Sequence, residues 1–305
     1  AVSVCTWNSA HAPCAIAALN AGCHVLCEKP VALSLADLDA MEQCCNENGI
    51  TFTVHQQRRF DQDFRIAKKV FDTGNDCRIV KDFIDKDFLG DIYYAKATYL
   101  RRNGNPGGWF GDKSRSAGGP LIDLGVHVID LVRYLMGNPL PVSVYGAAFQ
   151  KLGNRKNIKQ GTGGYSSAEK SAHDICDVED LATAMIRFDN GAVLSVEASF
   201  SLNIKKDEGA IQLFGSKAGA KIDPELELYT EVNGYLADVQ LAHPTALDFS
   251  GLFQREIDHY ISCIREGISC ISPAGDGVTL MEILDAVYES AATGHEVVLR
   301  GEEKK

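Results

Sequence analysis

Three short apolar segments rich in β-formers alternate with two helical segments at the start of this chain, with only a few residues between them. Val2–Thr6 reads as a buried strand, and Trp7–Pro13 as a turn in which Pro13 suits the first turn of a helix. Pro13–Ala21 has helical composition and stops at Gly22, a residue that tolerates the left-handed conformation at a helix end. His24–Cys27 is a second strand, Ser34–Asn48 a helix with a serine cap and Gly49 after it, and Ile50–Val54 a third strand. Strand, helix, strand, helix, strand with short connections predicts a parallel sheet with crossover helices. In such a sheet the loops after the strand carboxyl ends lie along one edge, where ligands bind.

Beyond Arg59 the pattern changes. Phe64–Phe71 is expected to be helical, Ile92–Arg101 alternates as a strand, and Asn103–Ala117 is a loop rich in Gly, Pro and Ser. Gly119–Met136 reads as one helix, with Pro120 near its start and Gly137 closing it. Strands are expected at Val142–Phe149, Asp180–Phe188, Ala192–Ser199, Gly209–Gly215 and Ala220–Ile222, the second and third joined by the hairpin turn Asp189-Asn190-Gly191. Gln254–Glu266 and Val278–Thr293 are amphipathic helices, and Lys151–Ser171 is polar and Gly-rich, as a mobile loop would be. A run of strands flanked by helices predicts an α+β domain with an open, mainly antiparallel sheet.

Charge and cysteine usage narrow the classes of function. With 30 basic and 41 acidic residues the formal charge is −11, which repels phosphate backbones and anionic lipid, so neither nucleic-acid nor membrane partners are expected. No apolar run has the length of a membrane span and no secretory leader opens the chain, so a soluble, cytoplasmic protein is expected. None of the ten cysteines belongs to a CxxC pair; no metal site is expected, and the thiols read as small hydrophobes. The chain has no initiator Met and enters a strand at once, which leads us to expect that preceding residues were removed or fall outside this numbering.

Three clusters of polar residues carry candidate chemistry. Asp123 and His127 are four apart on the expected helix and share a face, where a carboxylate can orient an imidazole acting as general base. The same spacing also makes an ordinary surface ion pair. Lys29, in Glu28-Lys29-Pro30, follows the second strand at the ligand edge; it is either a binding group or an exposed strand-end lysine. Thr6, Trp7, Asn8 and His11 follow the first strand, where Asn and His either contact a nucleotide or cap the next helix.

Together these motifs resemble the Gfo/Idh/MocA oxidoreductases, the glucose–fructose oxidoreductase and inositol dehydrogenase family. The carrying segments are T-x-N-x-x-H at Thr6–His11, AGCHVLCEKP at Ala21–Pro30, VHQQRRF at Val54–Phe60, GGPLIDLGVHVIDLVRYLMG at Gly118–Gly137 and the late helix within Gly277–Thr293. They span nearly the whole chain. The resemblance implies a Rossmann domain over 1–58, lacking its first part, and an α+β domain for substrate binding and oligomerisation over 59–305, with helix 277–293 packing back on the first. It implies a cofactor, NAD or NADP, and a sugar-like or polyol substrate. His127 would take the hydroxyl proton while hydride leaves for the nicotinamide, Asp123 would hold His127 and bind a substrate hydroxyl, and Lys29 would polarise the same oxygen. Glu28 would lie near the nicotinamide ribose; Thr6, Trp7, Asn8 and His11 would line the cofactor; Arg102 and Trp109 would cover the nicotinamide end. Gln57 is placed on the cofactor side and Arg58 on the substrate side of their boundary.

Two departures stand against that pattern. Trp7 occupies the place of the family's usual proline, and no G-x-G-x-x-G turn occurs in these residues, so about 60 residues are expected to precede Ala1. The expected activity is oxidation of a secondary hydroxyl of a sugar, inositol or glycoside. The alternatives are a glycosidase using transient NAD-dependent oxidation and a non-catalytic nucleotide-sensing relative. The open sheet leads us to expect a homodimer or homotetramer.

Overall fold

A computed structural model describes residues 1–60, 87–153, 155, 158, 165–168, 171, 173–222, 226–239 and 249–300. The expected helix over 64–71, and parts of the loop expected over 151–171, lie outside these residues.

The opening segment forms a three-stranded parallel sheet in the order β1 (Val2–Val4), β2 (Val25–Cys27), β3 (Phe52–Val54). Helix α1 (His11–Asn20) joins the first two strands and α2 (Leu35–Asn48) the second and third. Start and stop signals act as the residue types require. The Asp37 amide donates to Ser34 Oγ at 3.1 Å, and Gly49 takes φ 60° after the last turn, a conformation that costs an L-residue with a side chain more. Pro13 lies in the first turn of α1, as expected, where its missing N–H has no helical partner to lose, and the helix begins two residues earlier than expected, at His11.

The second sheet has nine strands, in the order β11-β10-β9-β8-β4-β7-β6-β5-β12. They are β4 (Ile92–Leu100), β5 (Pro141–Phe149), β6 (Leu181–Phe188), β7 (Val193–Ser199), β8 (Glu208–Gly215), β9 (Gly219–Ile222), β10 (Glu227–Val232), β11 (Tyr235–Val239) and β12 (Val297–Val298). Every pairing is antiparallel except β4 with β7, which run parallel. Three of these strands were not expected. β10 buries one side chain and β11 none, so neither has the one-sided burial that produces apolar alternation in a strand; β12 is two residues long.

Helix α3 (Val126–Leu135) runs beneath the sheet, preceded by a π-helical turn at Leu121–Gly125, so the single helix expected over 119–136 is in fact two geometries. The buried Glu179 carboxylate accepts from the Gly119 and Leu121 amides and from the Tyr288 hydroxyl. Pro120 has no N–H to offer, so this carboxylate satisfies amides that a helix start leaves open. Two long helices close the chain, α4 (Phe249–Glu266) and α5 (Ala274–Thr293). A side chain at Gly277 of α5 would stand 2.8 Å from Val31 of the first domain, and one at Gly146 of β5 would stand 2.8 Å from Val287 of α5. Helix α5 therefore touches both sheets closely. No described helix is long and apolar enough to cross a membrane.

A buried charged network ties these parts. Arg59, fully enclosed, donates from Nε and Nη2 to the two oxygens of Asp130 on α3, at 2.9 and 2.6 Å, and from Nη1 to Asp276 on α5 at 2.7 Å. Its guanidinium also lies 4.8 Å from the Tyr134 ring centre. The planar fork of arginine suits such a double carboxylate contact, which an ammonium cannot reproduce. Arg59→Ala would strand the buried Asp130 carboxylate and take one partner from the partly exposed Asp276; we expect a loss of about 3–5 kcal/mol of unfolding free energy, read from urea denaturation, and a loss under 1 kcal/mol would show the network to be dispensable.

Candidate active site

The residues that follow β1, β2 and β3 meet the second domain across a cleft of about 470 Å³. Cys5, Thr6, Asn8, His11, Glu28, Lys29 and Gln57 line one side; Tyr99, Arg101, Trp109, Phe110, Asp123 and His127 line the other. An adjoining hollow of about 420 Å³ is bounded by Thr6, Trp7, Trp109, Tyr165 and Ser167.

Lys29 spans the cleft. Its Nζ donates to Asp123 Oδ1 and to the Asp123 carbonyl, both at 2.9 Å, across 94 positions of sequence. The two side chains are 13% and 16% exposed, so the pair is shielded from water yet reachable from the cleft. An ammonium has three N–H bonds. Two are engaged by Asp123, which leaves the third for a ligand atom in the cleft.

His127 departs from its expected setting. Asp123 does not orient it: among the described residues the imidazole makes no hydrogen bond, and its Nδ1 is buried without a partner. The physical reason is competition together with local geometry. The Lys29 ammonium offers Asp123 a charge-assisted bond, and the π-helical turn between the two residues alters the one-face alignment that four-residue spacing gives in a regular α-helix. The imidazole is held neutral, with its pKa well below the ordinary histidine range, first by burial and then by the positive charges of Lys29, Arg58 and Arg101.

The structure separates the other expected site residues into groups. Glu28, Gln57 and Trp109 face the cleft; Glu28 Oε2 accepts from the Lys29 amide, and Gln57 Oε1 is buried with no hydrogen-bond partner among the described residues. Asn8 and His11 border it, but their bonds serve the fold. Asn8 Nδ2 donates to the Ser116 carbonyl at 2.7 Å, and the ring nitrogens of His11 lie 2.7 and 3.0 Å from the Pro30 and Thr6 carbonyl oxygens. Trp7 lies at the adjoining hollow beneath the Arg115 guanidinium, 4.4 Å from its ring centre. Arg58 does not border the cleft, and its charge reaches His127.

Arg102 is a correction. Its Nη1 donates to the Lys205 carbonyl on the exposed side, while its neighbour Arg101 turns into the cleft. Successive side chains of an extended segment point to opposite faces, so a one-residue error reverses the assignment. The alternation from Tyr99 to Arg101, both on the cleft side, was the available signal. Phe110 and Tyr165 were also missed: Phe110 stacks on Trp109 with centres 4.0 Å apart, and Tyr165 meets Phe110 edge to face with centres 5.7 Å apart. Nothing local in the sequence marks Tyr165, which reaches the site from a long connection.

Residues 1–56 match an oxidoreductase family described as an NAD-binding Rossmann fold, and residues 81–299 match its C-terminal alpha/beta domain. The chain is 34% identical over 300 residues to D-glucoside 3-dehydrogenase of Escherichia coli (strain K12), covering 98% of this chain and 79% of that protein. It is 27% identical over 314 residues to scyllo-inositol 2-dehydrogenase (NAD(+)) of Bacillus subtilis (strain 168), covering 98% and 77%. Among solved structures, levoglucosan dehydrogenase in complex with NADH and levoglucosan superposes with a TM-score of 0.77 at 25% identity, covering 98% of this chain and 80% of that one.

The neutral state of His127 is open to measurement. In a histidine NMR titration its ring should stay unprotonated well below the usual value of about 6.5. Arg101→Gln removes one of the depressing charges and should move that titration to higher pH; no movement would mean that Arg101 does not act on the ring.

Proposed function

The chain belongs to the Gfo/Idh/MocA oxidoreductase family, and from that membership we propose that it oxidises a secondary hydroxyl of a sugar, inositol or glycoside, with Lys29, Asp123 and His127 as catalytic residues. The observation that carries this reading is the convergence of the Lys29 ammonium and the His127 imidazole on one cleft. The residues present fit the nicotinamide end of NAD or NADP. The orphaned buried Oε1 of Gln57 is an acceptor in want of a donor, and Glu28 and Thr6 flank the same wall. These three, with Trp109, would hold the cofactor there. Bound in this cleft, NAD(P)+ supplies the hydride acceptor.

The chain's own groups divide the remaining work. Lys29, fixed by Asp123, donates its free N–H to the substrate oxygen and favours the negative charge that develops there. His127, neutral at physiological pH, accepts the hydroxyl proton at a ring nitrogen. Trp109, Phe110 and Tyr99 present aromatic surface suited to the apolar C–H face of a ring polyol, and Arg101 supplies donors at its rim. His127→Ala should lower turnover by about 10²–10⁴ while leaving cofactor affinity within a few-fold of wild type. Unchanged turnover would remove His127 from the mechanism. Net accumulation of reduced nicotinamide with free sugars or cyclitols supports the dehydrogenase; glycoside cleavage with no net reduction would instead establish a hydride-returning glycosidase.

The outer face of the large sheet fits a homodimer or homotetramer. Tyr145 and Met185 are paired across β5 and β6 and both are 53% exposed, an apolar surface that a second subunit would cover. Tyr145→Lys combined with Met185→Lys should lower the mass measured by light scattering; an unchanged oligomer would place the interface elsewhere.

A further inference from the structure

Outside the cleft, α4 and the turn that follows it bring together one imidazole and two thiols: His259, Cys263 and Cys270, whose ligating atoms all lie within 4.8 Å of one another. We propose that these three residues form a zinc site that anchors the α4–α5 turn to the first domain.

The spacing is that of a coordination shell. His259 and Cys263 are four apart on α4 and therefore share a face, and His259 Nε2 lies 3.4 Å from Cys263 Sγ. Bonds of about 2.0 Å to nitrogen and 2.3 Å to sulfur, at tetrahedral angles, place the two ligand atoms about 3.5 Å apart. Gly267, at φ 66°, turns the chain just past the helix end so that Cys270 comes back onto that face. Two thiolates and an imidazole form a borderline-soft donor set that suits zinc, and the hard cations magnesium and calcium prefer oxygen. Both thiols lose their protons to solvent as the ion binds. The fourth position falls to water, because His259 and Cys270 are only half-buried.

One contact has to yield. The His259 Nε2 lone pair now accepts the Ile271 amide at 2.9 Å, and it is the lone pair the ion takes. The displaced amide has the sulfurs of Cys263 and Cys270 within the same cluster as replacement acceptors. Cys270 also touches the Thr53 hydroxyl of β3, 3.4 Å away.

The location indicates what the ion does. The turn holding Cys270 continues into Ile271, whose carbonyl accepts from Arg59, and into Ser272, which exchanges bonds with the Val54 backbone at the edge of β3. None of the three ligands lines the cleft, so the site is structural rather than catalytic. It pins the turn on which the Arg59 network and the docking of α5 both depend.

The test uses the whole purified chain, reduced, supplied with zinc and freed of excess metal. Elemental analysis should find about one zinc per chain, and cobalt in its place should give thiolate charge-transfer and tetrahedral d–d bands. Cys270→Ser, at a half-exposed position, should lose the metal and those bands while remaining folded by circular dichroism. Zinc should raise the thermal midpoint of the wild-type chain and leave that of Cys270→Ser unchanged. Because Cys263 is buried, His259→Gln serves as the second variant, with the same loss expected. Zinc content no higher in the wild type than in the variants overturns the proposal, and so does a Cys263–Cys270 disulfide whose reduction restores no zinc uptake.

Discussion

The bond between Lys29 and Asp123 is the contact around which the two halves of the molecule are arranged. It joins a residue at the carboxyl end of a parallel strand to one at the entry of a helix in the other domain, and it crosses the cleft where the substrate is proposed to react. A partly buried ion pair is weak evidence of net stability, because desolvation offsets much of the attraction. Its value here is positional. Two acceptors on one residue leave the ammonium little freedom, so its remaining N–H has a defined direction before any ligand arrives. Preorganised donors of this kind cost no reorganisation when charge develops on a substrate oxygen.

That precision depends on groups further from the cleft. The Glu179 carboxylate holds the amides at the start of the Asp123 segment and accepts the Tyr288 hydroxyl from α5, so the final helix braces that segment. Burial and the Glu179 charge push the Tyr288 phenol well above its ordinary pKa, so it stays a donor. A side chain at Gly118 would collide with that same phenol, at 2.0 Å, and one at Gly119 with the Glu179 carbonyl, at 2.5 Å. The glycine pair is thus required by close approach, and the Gly-Gly-Pro run is as much a packing device as a loop.

What could be read in the sequence followed from how local each signal is. The parallel sheet was legible because apolar segments, a serine cap and glycine stops recur within a few residues of one another. Lys29, Asp123 and His127 were read as a group only through the family resemblance; spacing alone favoured reading the Asp123–His127 pair as a surface ion pair. The partner of Asp123 was misread because it comes from 94 positions away, where no periodicity reports. Arg101 was lost to Arg102 by one step of strand alternation. The His259–Cys263–Cys270 cluster escaped a search for CxxC pairs because a helix face and a glycine turn, not a short loop, assemble it. The Arg59 network was invisible for the same reason: its carboxylates lie 71 and 217 positions away.

The electrostatics of the cleft run against those of the whole molecule. A chain of net charge −11 surrounds its neutral imidazole with Lys29, Arg58 and Arg101. Burial first, and those charges next, make His127 a weaker base than a solvated histidine, which by itself would slow proton removal. In the proposed reaction the same charges would act on the substrate as well, since an alcohol becomes more acidic as its oxygen approaches a fixed ammonium. The burden would then shift from the base to the acid: a site that lowers the proton's affinity for the oxygen it leaves does not need a strong proton acceptor. Asp123 would serve His127 only indirectly. By holding Lys29 in place, it would fix the charge that lets a weak base suffice.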